Sequence, residues 1–223
     1  MGKHILKIVS INNATHDVLR MITDKPVGFD FVPGQAANIS INKSGWLNEV
    51  RPFTFTNLPN KHTLEFTIKI YPKHKGVTQE LLNLRIDDEL VLHDVFGAIT
   101  YKGEGVFIAG GAGVTPFISI FSSLKDINEI GSNMLVFAYK TKDDIILEDQ
   151  FKVLLGNAFI NILSDEHVDG YCYGRITEEF LKERVNHFNQ YFYICGPHKM
   201  IEDVGHQLIH LGVTKNHIIK EKF

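Results

Sequence analysis

The chain has 223 residues, 44% hydrophobic and 22% charged, with a formal net charge of -3 at pH 7. That composition is globular, allows one large domain or two small ones, and excludes a disordered chain or one with a strongly basic field for nucleic acid. Two cysteines, Cys172 and Cys195, exclude a disulfide framework and cannot supply the four ligands of an iron-sulfur cluster or a structural zinc. Redox chemistry, if present, has to come from a bound organic cofactor. The first ten residues lack the apolar run of a signal peptide, and no stretch approaches the roughly 20 apolar residues that span a bilayer, so a soluble cytoplasmic protein is expected.

Through the first hundred residues apolar and polar positions alternate, as in His4-Ile5-Leu6-Lys7-Ile8-Val9 and again from Thr63 to Tyr71. Turn signals at Pro33-Gly34, Pro59-Asn60 and Lys75-Gly76 separate the runs. Short antiparallel strands forming a small barrel are predicted, interrupted by one helical stretch over residues 78–84. On one of these strands, Arg51-Pro52-Phe53-Thr54-Phe55-Thr56, alternation sends Arg51, Phe53 and Phe55 to one face and Pro52, Thr54 and Thr56 to the other. An arginine can grip a pyrophosphate bidentately, an aromatic ring can cover a flat ring system, and a hydroxyl can bond a ring nitrogen. The same residues also suit an ordinary strand.

After a polar, glycine-containing joint at residues 101–104 the rhythm changes. Continuously apolar runs at 106–109, 134–139, 159–163 and 191–194 alternate with helical patterns at 116–125, 145–155, 177–185 and 198–211. Such alternation predicts a parallel sheet covered on both faces. The expected architecture is therefore two domains: an N-terminal antiparallel β-barrel over residues 1–101 and a C-terminal α/β domain with a parallel sheet over residues 102–223.

Two motifs lie in the second half. Gly110-Gly111-Ala112-Gly113-Val114-Thr115-Pro116 follows an apolar run and opens a helix, with Pro116 in the first turn, where its missing N–H costs little. Backbone amides in such a turn can approach a phosphate. It is not the G-x-G-x-x-G fingerprint, because proline stands at the third glycine position, and a plain tight turn is compatible with it. Tyr193-Ile194-Cys195-Gly196-Pro197-His198-Lys199-Met200 sets a small, polarizable thiol at the carboxyl end of a predicted parallel strand, where open sheets bind ligands. A buried structural cysteine is the alternative reading.

In order and spacing, the arginine-aromatic-threonine strand, the G-G-x-G-x-T-P turn and the C-G-P-x-x-M segment together resemble the ferredoxin-NADP reductase family of flavin-dependent oxidoreductases. Further similarities are Gly76-Val77-Thr78, the segment from Lys140 to Ile145, and Gly174-Arg175-Ile176. The resemblance implies a flavin-binding barrel followed by a nucleotide-binding domain, with hydride transfer from NADH or NADPH to FAD (FMN is the alternative) and release of single electrons to an external carrier. By position, Arg51 would bind the FAD pyrophosphate, Phe53 would lie along the isoalloxazine and Thr54 would hydrogen-bond its N5 nitrogen. Thr56 and Tyr71 would complete the flavin site, with Gly76, Val77 and Thr78 adding phosphate contacts. Gly111, Gly113, Thr115 and Pro116 would cradle the dinucleotide, and Cys195, Gly196 and Pro197 would line the hydride-transfer position, making Thr54 and Cys195 the catalytic pair. The family commonly has tyrosine where Phe53 stands, so one hydroxyl contact to the cofactor is lost.

The same resemblance suggests ferredoxin or flavodoxin as acceptor, with a haem or oxygenase partner next; a non-catalytic electron-transfer subunit or sensor is the competing reading. Asp165, in Ser164-Asp165-Glu166, stands where NADPH-using relatives tend to place arginine, which points to NADH. Lys140, Lys142 and Arg175 pull the other way. The cluster Lys69, Lys73, His74 and Lys75 reads as a solvated edge or as a patch that could attract an acidic carrier, and by the resemblance Phe223 would either shield the flavin ring or fray. His206 and His210 have metal-ligand spacing but lack the intervening glutamate of a zinc protease, and are expected on a solvated helix face.

Overall fold

In the computed structural model residues 2–71, 75–97 and 99–221 are described. Phe223, Lys73 and His74 lie outside them, and so do the roles expected of these residues. The N-terminal half is built from β1 (His4–Thr15), β2 (Val18–Asp24), β3 (Ala36–Ile41), β4 (Arg51–Thr54), β5 (Thr63–Lys69), the short helix α1 (Val77–Glu80) and β6 (Glu89–Phe96). Its six strands pair antiparallel in the order β4-β3-β6-β1-β2-β5. The sheet closes because the chain beyond β4 meets β5: Phe55 bridges Phe66, and the Thr56 N–H donates to the Glu65 carbonyl at 2.8 Å.

Alternation decides what fills this barrel. Leu6 and Ile8 of β1, Leu64, Phe66 and Ile68 of β5, and Ile39 and Ile41 of β3 all point inward and are buried. At the centre Phe55 stacks on Phe31 at 4.2 Å between ring centroids and packs on Phe66 at 5.3 Å.

The C-terminal half alternates β7 (Gly105–Gly110), α2 (Thr115–Asp126), β8 (Met134–Tyr139), α3 (Glu148–Leu155), β9 (Phe159–Leu163), β10 (Cys172–Tyr173), α4 (Glu178–Arg184), β11 (Tyr191–Cys195), α5 (His198–His210) and β12 (Ile218–Lys220). All six strands run parallel, in the order β10-β9-β8-β7-β11-β12. Both faces of the sheet are covered, as the unbroken apolar runs require. Phe107 and Phe137 turn to the side packed by α2 and α3, with Phe117, Phe121 and Phe151. Val106, Ile108, Val136 and Ile194 turn to the other, against Leu181 of α4 and Ile201, Val204 and Leu208 of α5.

Two helix boundaries differ from expectation. The stretch predicted at 145–155 becomes helical only from Glu148: Thr141 and Asp144 form a reciprocal capping box around a separate 3-10 turn, and Leu147 has φ of 55°. The stretch predicted at 78–84 starts one residue earlier as α1 and continues into a 3-10 turn over Leu81–Asn83. His206 and His210 are exposed on α5, and His210 sits 2.5 Å from Glu178. Among the described residues no helix is long and apolar enough to cross a membrane.

The two halves are joined by packing as well as by chain. Val18 from the barrel and Ile99 belong to the apolar cluster of the parallel sheet, and the Gly34 N–H donates to Ser119 Oγ of α2 at 3.0 Å. Lys69 Nζ lies 2.7 Å from Asp17 and 3.8 Å from Asp144. Lys69 is thus held in the joint, which corrects its expected place in an exposed basic patch.

Because Phe55 both fills the barrel centre and sits at its closure, Phe55→Ala is expected to cost about 3 to 5 kcal/mol. Urea titration should show a lowered midpoint with unchanged slope, whereas a loss below about 1 kcal/mol would mean the closure does not depend on this ring.

Candidate active site

β7 is the first strand of the parallel sheet; β8, β9 and β10 are added on one side of it and β11 and β12 on the other. The order reverses between β7 and β11, and open α/β sheets hold ligands in the crevice outside the carboxyl ends of the strands at such a point. The carboxyl ends here are the Gly110–Gly113 and Cys195–Pro197 turns, brought level because Ala109 pairs with Cys195. Each turn runs into a long helix, α2 from Thr115 and α5 from His198, so two helix N-termini with their partial positive charge face this end of the sheet.

The two turns interlock backbone on backbone. A Cβ added at Gly113 would meet the Cys195 carbonyl oxygen at 2.2 Å and the Gly196 nitrogen at 2.5 Å. Gly113, expected to cradle a dinucleotide, therefore owes its lack of a side chain to its neighbour turn. Gly111 differs: its φ is +54° and a Cβ there would meet nothing within 4 Å. That flank is open beside the start of α2, and a helix N-terminus is the kind of position that favours a phosphate. Thr115 is buried and its hydroxyl donates to the Ala112 carbonyl at 3.0 Å, while the Pro116 carbonyl accepts from Ser119 Oγ at 3.2 Å. Both residues fix the helix start.

Cys195 is buried, with its Sγ 3.3 Å from Glu221 Oε2, to which it donates. Burial, and after it the Glu221 charge and hydrogen bond, push the thiol well above its ordinary pKa against a smaller opposing contribution from the Gly196 amide. Glu221 was not singled out from the sequence. The only signal for it was an acid near the chain end, overshadowed by the aromatic after it.

On the barrel, Arg51 opens β4 with its side chain 47% accessible; its guanidinium donates to the Val50 carbonyl at 2.8 Å and reaches Glu49 at 3.3 Å. An exposed pair of this kind is worth at most about 1 kcal/mol, so the guanidinium can turn to a phosphate at little cost. Thr54 is half-buried, and its hydroxyl makes no hydrogen bond among the described residues. Phe53 belongs to the barrel core and keeps 9% of its surface accessible, so little of it is open to a ligand.

The Thr56 hydroxyl is buried, donating to Glu65 Oε1 at 3.0 Å and accepting from Thr67 Oγ1 at 3.2 Å, so it is engaged in the barrel closure. Tyr71 is exposed just after β5. Gly76 precedes α1 and Thr78 is half-buried, while the Val77 side chain is buried, leaving its amide as the group it can present.

A third group lies beyond β9. Ser164 Oγ donates to Asp165 Oδ1 at 2.5 Å, and the Asp165 N–H donates to the Lys140 carbonyl at 3.0 Å. The Asp165 carboxylate is exposed, and the Lys140 and Arg175 side chains are exposed as well. The Lys142 ammonium lies 5.7 Å from the Tyr171 ring centroid.

A closed antiparallel barrel followed by a doubly wound parallel sheet with a glycine-lined switch point defines a flavin- and nucleotide-binding oxidoreductase class. Sequence comparison agrees: residues 3–103 match the FAD-binding domain family and residues 107–206 the Oxidoreductase NAD-binding domain family. The chain belongs to the ferredoxin-reductase-like family of FAD- and NAD-binding oxidoreductases. Among curated relatives it is 28% identical to the reductase component of propane 2-monooxygenase from Rhodococcus jostii (strain RHA1), covering 97% of this chain and 62% of that protein. It is 22% identical to the ferredoxin--NAD(P)(+) reductase component of the naphthalene 1,2-dioxygenase system of Pseudomonas putida, covering 97% and 67%. The chain thus spans about three-fifths to two-thirds of their length. Among solved structures it resembles the FAD/NAD-binding domain of nitric oxide dioxygenase from Vibrio cholerae, with a TM-score of 0.87, 22% identity and 98% of each chain covered. A ferredoxin NADP+ reductase from Neisseria gonorrhoeae has a TM-score of 0.85 at 17% identity, covering 99% of this chain and 98% of that one.

A thiol whose folded pKa is raised favours the fold while protonated. That contribution is whole below the ordinary thiol value of about 8.5 and drains away as pH rises above it. Wild-type stability in urea should therefore fall more steeply between about pH 8.5 and 10 than that of Cys195→Ala; equal slopes would show that the thiol is not desolvated in the fold.

Proposed function

We propose that this chain accepts a hydride from NADH onto bound FAD and passes electrons one at a time to a separate carrier. The switch-point crevice carries this reading. It combines an open glycine flank, two helix N-termini and a buried thiol at the carboxyl ends of two adjacent parallel strands. Bound flavin would supply the conversion between two-electron and one-electron transfer, which side chains cannot perform.

The protein's part is binding, orientation and exclusion of water. Arg51 binds the flavin pyrophosphate, with Gly76, Val77 and Thr78 offering amides and a hydroxyl. Thr54, whose hydroxyl has no competing partner among the described residues, orients the flavin ring edge, and Phe53 covers part of it. Gly111 and the start of α2 hold the nicotinamide dinucleotide. Cys195, Gly196 and Pro197 wall the place where the two rings meet, and Cys195 with Thr54 sets their approach. The acceptor is ferredoxin, flavodoxin or an oxygenase or haem partner, and the reductase-component relatives favour a partner from an oxygenase system.

Arg51→Ala should weaken flavin binding by about 10- to 100-fold, because a hydrogen bond to a charged group is worth roughly 1.5 to 3 kcal/mol. Flavin released by acid from the wild type should chromatograph as FAD. An Arg51→Ala protein retaining FAD at wild-type affinity removes Arg51 from the site.

NADH is favoured over NADPH because the exposed Asp165 carboxylate, oriented by Ser164, accepts a ribose hydroxyl and repels a 2′-phosphate. Unit charges about 4 Å apart at an effective dielectric near 20 interact by about 4 kcal/mol; solvent screening at an exposed site cuts this to roughly a tenfold preference. The wild type should be bleached anaerobically by NADH, with kcat/KM about tenfold above that for NADPH in low salt, and Asp165→Arg should narrow or reverse the ratio. A wild type that prefers NADPH sinks the assignment.

A further inference from the structure

The joint between barrel and parallel sheet holds three charged side chains that the proposed chemistry does not use. Lys69, at the end of β5, reaches Asp17 of the β1–β2 turn at 2.7 Å and Asp144 of the turn after β8 at 3.8 Å. The His16 ring lies 3.7 Å from both carboxylates, and Asp143 and Thr141 line the cleft beside it. The side chains of Lys69, Asp17 and Asp144 are only 20%, 19% and 12% accessible, so solvent screens them far less than an ordinary surface pair. The ligating atoms of His16, Asp17 and Asp144 lie within 4.8 Å of one another. The ammonium of Lys69 is the cation between the two carboxylates, and without it two like charges would face each other across the domain boundary.

Asp144 also has a second task. Its Oδ2 accepts from the Thr141 N–H at 3.0 Å and the Thr141 hydroxyl at 2.8 Å, shaping the turn that leaves β8. The other side of that turn carries the segment after β9. Ser164 N–H donates to the Tyr139 carbonyl at 2.9 Å, Asp165 N–H donates to the Lys140 carbonyl at 3.0 Å, and Lys142 N–H donates to Glu166 Oε2 at 2.8 Å.

We propose that Lys69 and Asp144 are positioning residues for nucleotide use: the barrel lysine clamps the Asp144 turn, and the turn holds Ser164, Asp165 and Glu166 where the adenosine ribose binds. This rests on the reading of Asp165 above. Neither residue touches the reacting atoms. Their effect is to fix the angle at which the nucleotide domain presents its ligand to the barrel, and misplacement of a substrate by about 1 Å costs up to about 100-fold in rate.

The test compares wild type, Lys69→Met, Lys69→Arg and Asp144→Asn, each loaded with FAD. Stopped-flow reduction by NADH should show KM raised severalfold and the saturating rate reduced about tenfold in Lys69→Met and Asp144→Asn, with flavin content unchanged and recovery in Lys69→Arg. Amide hydrogen exchange without nucleotide should be faster in Lys69→Met at residues 139–142 and 164–166, and unchanged in β1 and β6. Exchange raised evenly over the chain would mark general destabilisation and overturn the proposal. So would wild-type exchange at 164–166, whatever the kinetics, and so would unaltered reduction kinetics in a protein whose wild type NADH does bleach. A wild type that NADH does not bleach defeats the functional reading instead, and the exchange measurement then decides the clamp by itself.

Discussion

The switch-point crevice depends on one close approach, that of the turn after β7 to the turn after β11. Parallel pairing sets Ala109 opposite Cys195, so both chains leave the sheet at the same level and share one space. A side chain at Gly113 would strike the Cys195 carbonyl, and one at Gly110 would meet Met200 Sδ at 2.5 Å and Pro197 Cδ at 2.9 Å. The absence of side chains lets the two backbones touch, and that contact aims two helices at one crevice. Pro116 and Thr115 then define where α2 begins, and Pro197 does the same for α5.

Charge is distributed along the carboxyl edge of the sheet in a way that suits a ligand with an anionic middle and neutral ends. The positive helix ends lie at its centre, after β7 and β11. Asp165 and Glu166 lie away from it, after β9, while Glu221 sits by the centre, where its carboxylate accepts from the Cys195 thiol. A dinucleotide carries its pyrophosphate between two sugars, so attraction at the centre and hydroxyl acceptors away from it complement it better than a uniformly basic groove, which would favour any polyanion.

Much of this was legible from sequence because periodicity reports burial. Alternation in β1 and β5 and unbroken apolar runs in β7, β8, β9 and β11 follow directly from one-sided and two-sided burial. β10, with two residues, and β12, with three, are too short to show a period. Thr54 and Thr56 show a different limit: they are two residues apart in the same motif, yet one hydroxyl makes no hydrogen bond among the described residues and the other is fixed on Glu65. What separates them is the closure of the barrel by Phe55 and Phe66, a contact between segments that neither segment announces. The same holds for Lys69, whose place in a basic run gave no sign of Asp17 and Asp144, and for Glu221, whose partner lies 26 residues away.

The state of Cys195 follows from these constraints and decides what it can do. A nucleophilic or metal-binding cysteine needs its thiolate, which positive neighbours and exposure favour. Here burial disfavours the anion, and the facing group is the Glu221 carboxylate, which accepts the thiol proton and would repel a thiolate. Covalent chemistry at this sulfur is therefore opposed by both dominant influences. What remains is a neutral, polarizable side chain of small volume, which on the proposed function would lie against a flat ring without adding charge to it. This is the property that a site for transfer between two cofactors needs from its protein: position and dryness, with the reactive atoms supplied by the ligands.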